Sequence, residues 1–116
     1  MTLLEKLIAI FNSLNMPASV AVDEGANRAD KYAVLTPTDD SYCAYADDLP
    51  THECISVRIS VYSKNDYTGI VKALSEMIIN ADIIIADKGF IEYECDTGYY
   101  HYNIDVKALS AANEGI

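Results

Sequence analysis

A chain of 116 residues has room for one domain with a real core, but not for a core and a separate catalytic lobe. With 51% hydrophobic and 22% charged residues it belongs with folded globular chains and not with disordered ones. Eighteen acidic against eight basic residues give a formal net charge of -10, which repels phosphate polyanions and argues against direct, sequence-specific nucleic-acid binding.

No cationic leader with an apolar run opens the chain, and the longest apolar stretch, Ile83-Ile84-Ile85-Ala86, is far too short to cross a bilayer. The expectation is a soluble protein made in the cytoplasm, with no membrane partner. Thr2 can cap a first helix with Glu5 as its capping-box partner, and Leu3, Leu4, Leu7, Ile8, Phe11 and Leu14 form one stripe that Pro17 ends. A short apolar segment, Ser19 to Val22, follows, and then a small, polar loop from Asp23 to Asp30. Lys31 to Thr36 reads as a strand broken by Pro37 and Asp39-Asp40-Ser41, with a further short strand from Tyr42 to Ala46 and a turn at Asp47-Asp48-Leu49-Pro50.

The cleanest strand comes next: Ile55, Val57, Ile59 and Val61 point one way, and Cys54, Ser56, Arg58, Ser60 and Tyr62 the other. Asn65 or Asp66 then caps a second helix running to about Asn80, with Tyr67, Ile70, Val71, Leu74, Met77, Ile78 and Ala81 on its apolar stripe. Asp82 to Ile85 leads toward a last hairpin, with Asp87-Lys88-Gly89 breaking the run before Phe90. In that hairpin Tyr100, Tyr102, Ile104 and Val106 alternate with Tyr99, His101, Asn103 and Asp105. Placing Ile91 and Tyr93 on the apolar face requires Glu94 to pair with Tyr99 across an even loop of two or four residues; a one-residue slip would set Glu92 and Glu94 against the tyrosines. Residues 110 to 116 carry no period and are expected to fray. The fold class is therefore α+β: one domain, a mainly antiparallel sheet of five to six strands, and two helices on one face. The other face carries Arg58, Tyr62, Tyr99, His101 and Asn103.

Motifs for chemistry are sparse. Cys43, Cys54 and Cys95 lack CxxC spacing and are odd in number, which reads as three reduced thiols. His52 and His101 have no nucleophile at a motif spacing, so solvated or interface roles come first and a general-base role for His101 second. A metal set drawn from His52, Cys54, Cys95 and His101 would need the two pairs to meet across strands, whereas structural zinc favours tight pairs on turns. Asp39-Asp40 and Asp47-Asp48 lack the pattern of a calcium loop and read as solvated turns. Nine tyrosines without a tryptophan suit contact surfaces, with Tyr62, Tyr67, Tyr99 and Tyr102 the candidates.

Several segments in order carry a likeness: Tyr32-Ala33-Val34-Leu35 with Thr38-Asp39, Tyr45-Ala46-Asp47-Asp48-Leu49-Pro50, Ile55 to Lys64 with Asp66-Tyr67, and Tyr93-Glu94-Cys95-Asp96-Thr97-Gly98-Tyr99-Tyr100-His101. In these segments, over about residues 32 to 107, the chain resembles the tail terminator, or head-tail joining, group of bacteriophage and prophage tail-completion proteins. The resemblance implies a structural virion protein of the tail or neck, assembled in the host cytoplasm into a ring, commonly a hexamer. It implies as partners further copies of the chain, the tail tube protein and the head-tail connector protein. It implies no catalytic residue, no cofactor and no metal ligand. A carboxylate-lined lumen would let DNA slide through such a ring. Ring contacts are heterologous, and the expected patches are the open sheet face and the 39 to 50 segment: Asp39, Asp40, Tyr45, Asp47, Asp48, Arg58, Tyr62, Tyr67, Tyr99 and His101. Cys95 and the tail after Leu109 depart from the group's pattern. The alternatives are a cytoplasmic adaptor or immunity-like module using the tyrosine-rich face, and a small enzyme with His101 as general base.

Overall fold

Alternating branched apolar and polar residues make a strand with one dry face, and Leu49–Ser63 (β3) is that strand at the centre of the sheet. In the computed structural model the described residues are 3–20, 30–46, 49–65, 67–96 and 98–111, with side chains at 39–46, 49–53 and 109–111 left undescribed. Around β3 the chain runs Leu3–Ser13 (α1), Ala18–Val20 (β1), Lys31–Ala46 (β2), Thr68–Asn80 (α2), Ile84–Glu94 (β4) and Tyr99–Ala111 (β5). Among the described residues the sheet has five strands in the order β1-β2-β3-β5-β4. It is mixed, because β1 pairs parallel to β2 while every other pairing is antiparallel.

The α+β class with two helices is thus the observed architecture. Ile55, Val57, Ile59 and Val61 are all fully buried, and their face meets Leu7 and Phe11 of α1, Leu74 and Ile78 of α2, and Ile104 and Val106 of β5. Burying each such side chain contributes about 1.5–3 kcal/mol. Ile10 joins the buried stripe of α1, while Leu4, Ile8 and Leu14 are only partly covered.

Both helices stop by the same device. Asn15 takes φ 53 and Asp82 φ 62, and each is followed by a backbone bond reaching five residues back: Met16 N–H to Phe11 carbonyl at 3.0 Å, Ile83 N–H to Ile78 carbonyl at 3.2 Å. Helix α1 therefore ends at Ser13 by a left-handed Asn15, not at Pro17, whose carbonyl instead accepts from Ala33 N–H at 2.9 Å. At the start of α2 the cap position is Tyr67, with no side-chain cap bond, rather than Asn65. Asn65 N–H donates to Ser63 Oγ at 3.2 Å in a local turn. The other capping candidates, Thr2 and Asp66, lie outside the described residues, as does 21–29 of the loop before β2.

Asp82 is unfavourable at its place twice over: an L-residue strains in the left-handed region, and a carboxylate stands at the negative end of α2. Asp82→Gly should raise the unfolding free energy by about 1 kcal/mol, seen as a higher urea midpoint at unchanged slope, with Asp82→Asn recovering only the charge share.

Three expected breaks are instead continuous strand. β2 passes through Pro37 and Asp39-Asp40-Ser41 by inserting Thr38 between the pairs Pro37↔Val57 and Asp39↔Ser56. β4 passes through Asp87-Lys88-Gly89 by inserting Ala86, since Ile85 pairs with Val106 and Asp87 with Asp105. β5 continues through Ser110 and Ala111, paired with Glu53 and His52, so the expected fraying does not begin at 110; residues 112–116 lie outside the described set. A bulge absorbs the misfit residue and keeps the ladder, which is why turn-forming residues need not end a strand. Residues 39–46 and 49–50 are accordingly paired strand and not a loop, with Leu49 and Pro50 already in β3. The long axis of 53 Å matches a sixteen-residue strand at about 3.3 Å per residue.

The last hairpin has the expected register, Glu94 opposite Tyr99, across Cys95 to Gly98, the four-residue option. Gly98 takes φ +78 and donates its N–H to the Glu94 carbonyl at 2.7 Å, a conformation that favours glycine. Tyr93 does pair with Tyr100, but Ile91 is a bulge residue and Phe90 takes the place opposite Tyr102. The expectation of three reduced thiols fails for Cys54, which is disulfide-bonded, and holds for Cys95, free and exposed. The physical reason is the ribbon: β2 folding back along β3 brings residues 41 and 42 opposite 54 and 53.

Candidate functional site

On the sheet face away from the helices, one row of residues crosses four strands: Tyr32 pairs with Tyr62, Tyr62 with His101, and His101 with Glu92. The three rings stack, Tyr32 on Tyr62 at 4.7 Å between centroids and 12° between planes, Tyr62 on His101 at 4.4 Å and 18°. Tyr99 closes the row edge-on, at 5.2 Å from Tyr32 and 6.3 Å from Tyr62, with the Lys64 ammonium 5.1 Å from its ring centre. Such pairs contribute about 0.5–1.5 kcal/mol each beyond the area they bury. Tyr99 is only 1% exposed and Tyr32 4%, so these two rings are packed into the cluster, while Tyr62 and His101 are half-buried.

Two rows along the strands, Arg58 donates from Nε to Asp105 Oδ1 at 2.9 Å and from Nη2 to Oδ2 at 3.3 Å, a bidentate pair. The Asp105 hydrogen bond and charge, with a smaller contribution from Asp87, raise the guanidinium pKa above its ordinary value. The bulge at Ala86 brings Asp87 to this side; without it the alternation would set a carboxylate against buried Ile104.

Arg58, Tyr62, Tyr99 and His101 therefore share one face as expected, and Tyr67 is on the other, on the apolar stripe of α2 where the sequence set it. Tyr67 lies on the helix side, within 5.4 Å of Phe90 and 5.6 Å of both Tyr100 and Tyr102, in a second aromatic cluster. Asp39, Asp40 and Tyr45 occupy β2 opposite Ser56, Ile55 and Pro50, while Asp47 and Asp48 lie outside the described residues. The histidine and cysteine pairs do not converge. Cys54 pairs with Leu109, eight positions along β5 from His101, or about 27 Å at strand rise.

The apolar surface lies elsewhere, on the edge strand. Ile84, Phe90, Ile91 and Tyr93 of β4 are between 47% and 54% exposed, and Ile79 of α2 is 61% exposed. Sequence reasoning assigned Ile91 and Tyr93 to the apolar side of the hairpin but had no means of placing β4 at an edge. No protein-family model and no curated protein matches this chain. No helix among the described residues is long and apolar enough to cross a membrane.

A second grouping sits at the end of the aromatic row. Ligand atoms of Glu92, Glu94 and His101 lie within 4.8 Å of one another, with Glu92 exposed and the other two half-buried. His101 Nε2 and Asn103 Oδ1 are buried atoms with no hydrogen-bond partner.

Proposed function

We propose that this chain is a structural phage or prophage protein that terminates the tail tube and joins tail to head as an oligomeric ring. The observation that carries the reading is the β4 edge, where four large apolar side chains stand about half exposed on the strand that ends the sheet. Phe90, Ile91 and Tyr93 are near neighbours along β4, and exposed apolar surface of this kind marks protein contacts. A ring needs two different patches per subunit. In this reading the β4 edge is one of them, and the ribbon of β2 and β3 with the polar sheet face is the other. The sequence likeness over about residues 32 to 107 supplies the phage context, and the formal charge of -10 suits a lumen along which DNA slides.

Purified protein mixed with tail tubes of the phage that carries the gene tests the role directly. Negative-stain images should show a cap at one end of each tube, and sedimentation should show oligomers that grow with concentration. Bare tube ends together with a chain that stays monomeric or dimeric would overturn the reading and favour an adaptor.

A further inference from the structure

We propose that Glu92, Glu94 and His101 bind a divalent transition-metal ion of the zinc class. The site is built on strands. Glu92 and Glu94 are two apart on β4 and so share a side, and Glu92 pairs directly with His101 on β5. The bulge at Ile91 is what turns both carboxylates to the histidine side, because Phe90 still pairs with Tyr102 on the other.

The separations fit an ion. Donors about 2.0–2.2 Å from a tetrahedral centre stand roughly 3.4 Å apart. The ligand atoms here lie within 4.8 Å of one another. Small rotations of the glutamate side chains close the difference, and Glu92 is exposed and has room for them. The imidazole needs no such search, since stacking on Tyr62 at 4.4 Å fixes its plane.

His101 supplies the second, independent observation. Its Nε2 is a buried atom without a hydrogen-bond partner, a state that buried polar atoms seldom keep. Coordination through that nitrogen would give it the partner it lacks. The donor set also selects the ion. Imidazole with carboxylates suits zinc and its neighbours, whereas calcium takes six to eight oxygens and magnesium keeps a shell of water. Three protein ligands leave one position for water or for a donor from another molecule. The inference does not depend on the ring-forming role.

The test uses the full chain carrying Cys95→Ser, because the exposed Cys95 thiol beside Glu94 would bind zinc by itself. Calorimetric titration with Zn²⁺, and the visible spectrum with Co²⁺, should show one ion per chain, retained in excess Ca²⁺. Glu92→Gln and His101→Phe, the latter keeping a ring on Tyr62, should each weaken binding at least about tenfold while urea unfolding stays cooperative. Absence of saturable binding, displacement by Ca²⁺, or unchanged affinity in both variants would overturn the proposal.

Discussion

Tyr99→Ala should lower the unfolding free energy of the isolated chain by about 3–5 kcal/mol, the range for truncating a buried aromatic side chain. Tyr99 is 1% exposed, meets the Tyr32 and Tyr62 rings edge-on, and carries the Lys64 ammonium over its face. Its removal leaves a hole against two rings and forfeits two favourable aromatic geometries, each contributing about 0.5–1.5 kcal/mol. Set against a total stability of about 5–15 kcal/mol for a small domain, the loss is large enough to see at any protein concentration. Urea unfolding at two concentrations a hundredfold apart measures it. A shift of the same size at both marks Tyr99 as part of the fold. A loss below about 1 kcal/mol, accompanied by weaker self-association, would restore Tyr99 to the contact surface where its sequence position first put it.

That contrast shows where sequence reasoning reaches its limit. Alternation decided the faces correctly for β3 and β5, because a period of two leaves no choice once Ile55, Val57, Ile59 and Val61 are dry. The same logic gave the Glu94↔Tyr99 register and an even connection, of which the four-residue form is the one observed. Which residues on the polar face are covered by one another is a different question. Tyr32 stacks on Tyr62 only because β2 pairs with β3 at that register, thirty positions away in sequence. Tyr67 keeps its expected place on the apolar stripe of α2, but that its ring meets Phe90 and Tyr102 depends on how α2 enters over them.

Bulges account for most of the other differences. Thr38, Ala86 and Ile91 each add a residue on one strand without ending it. Pro37, Asp39-Asp40 and Asp87-Lys88-Gly89 are the residues that usually end strands, so a local reading turns the chain where the ladder in fact continues. The Glu92 and His101 pairing was implicit in the predicted hairpin register, but the buried, unpartnered Nε2 that gives it chemical meaning belongs to the folded sheet. An odd cysteine count likewise hides a single disulfide, because one free thiol, Cys95, supplies the remainder.

Ile91→Lys should leave the stability of the subunit within about 0.5 kcal/mol and weaken self-association at least about tenfold, or about 1.4 kcal/mol per contact. Ile91 is 49% exposed and stands in a bulge, outside the cross-strand pairs of β4, so its side chain contributes little to the folded chain. The β4 edge already carries two bulges and Lys88, devices that discourage indiscriminate strand pairing. An edge so defended yet bearing Ile84, Phe90, Ile91 and Tyr93 at about half exposure fits a partner that reads side chains more than the backbone ladder. A buried lysine ammonium in that contact has no carboxylate assigned to it and must be desolvated, which opposes docking. Sedimentation velocity with the unfolding curve as control separates the outcomes. Wild-type oligomers persisting in Ile91→Lys would move the contact off β4, whereas a destabilised monomer would mean that Ile91 belongs to the core.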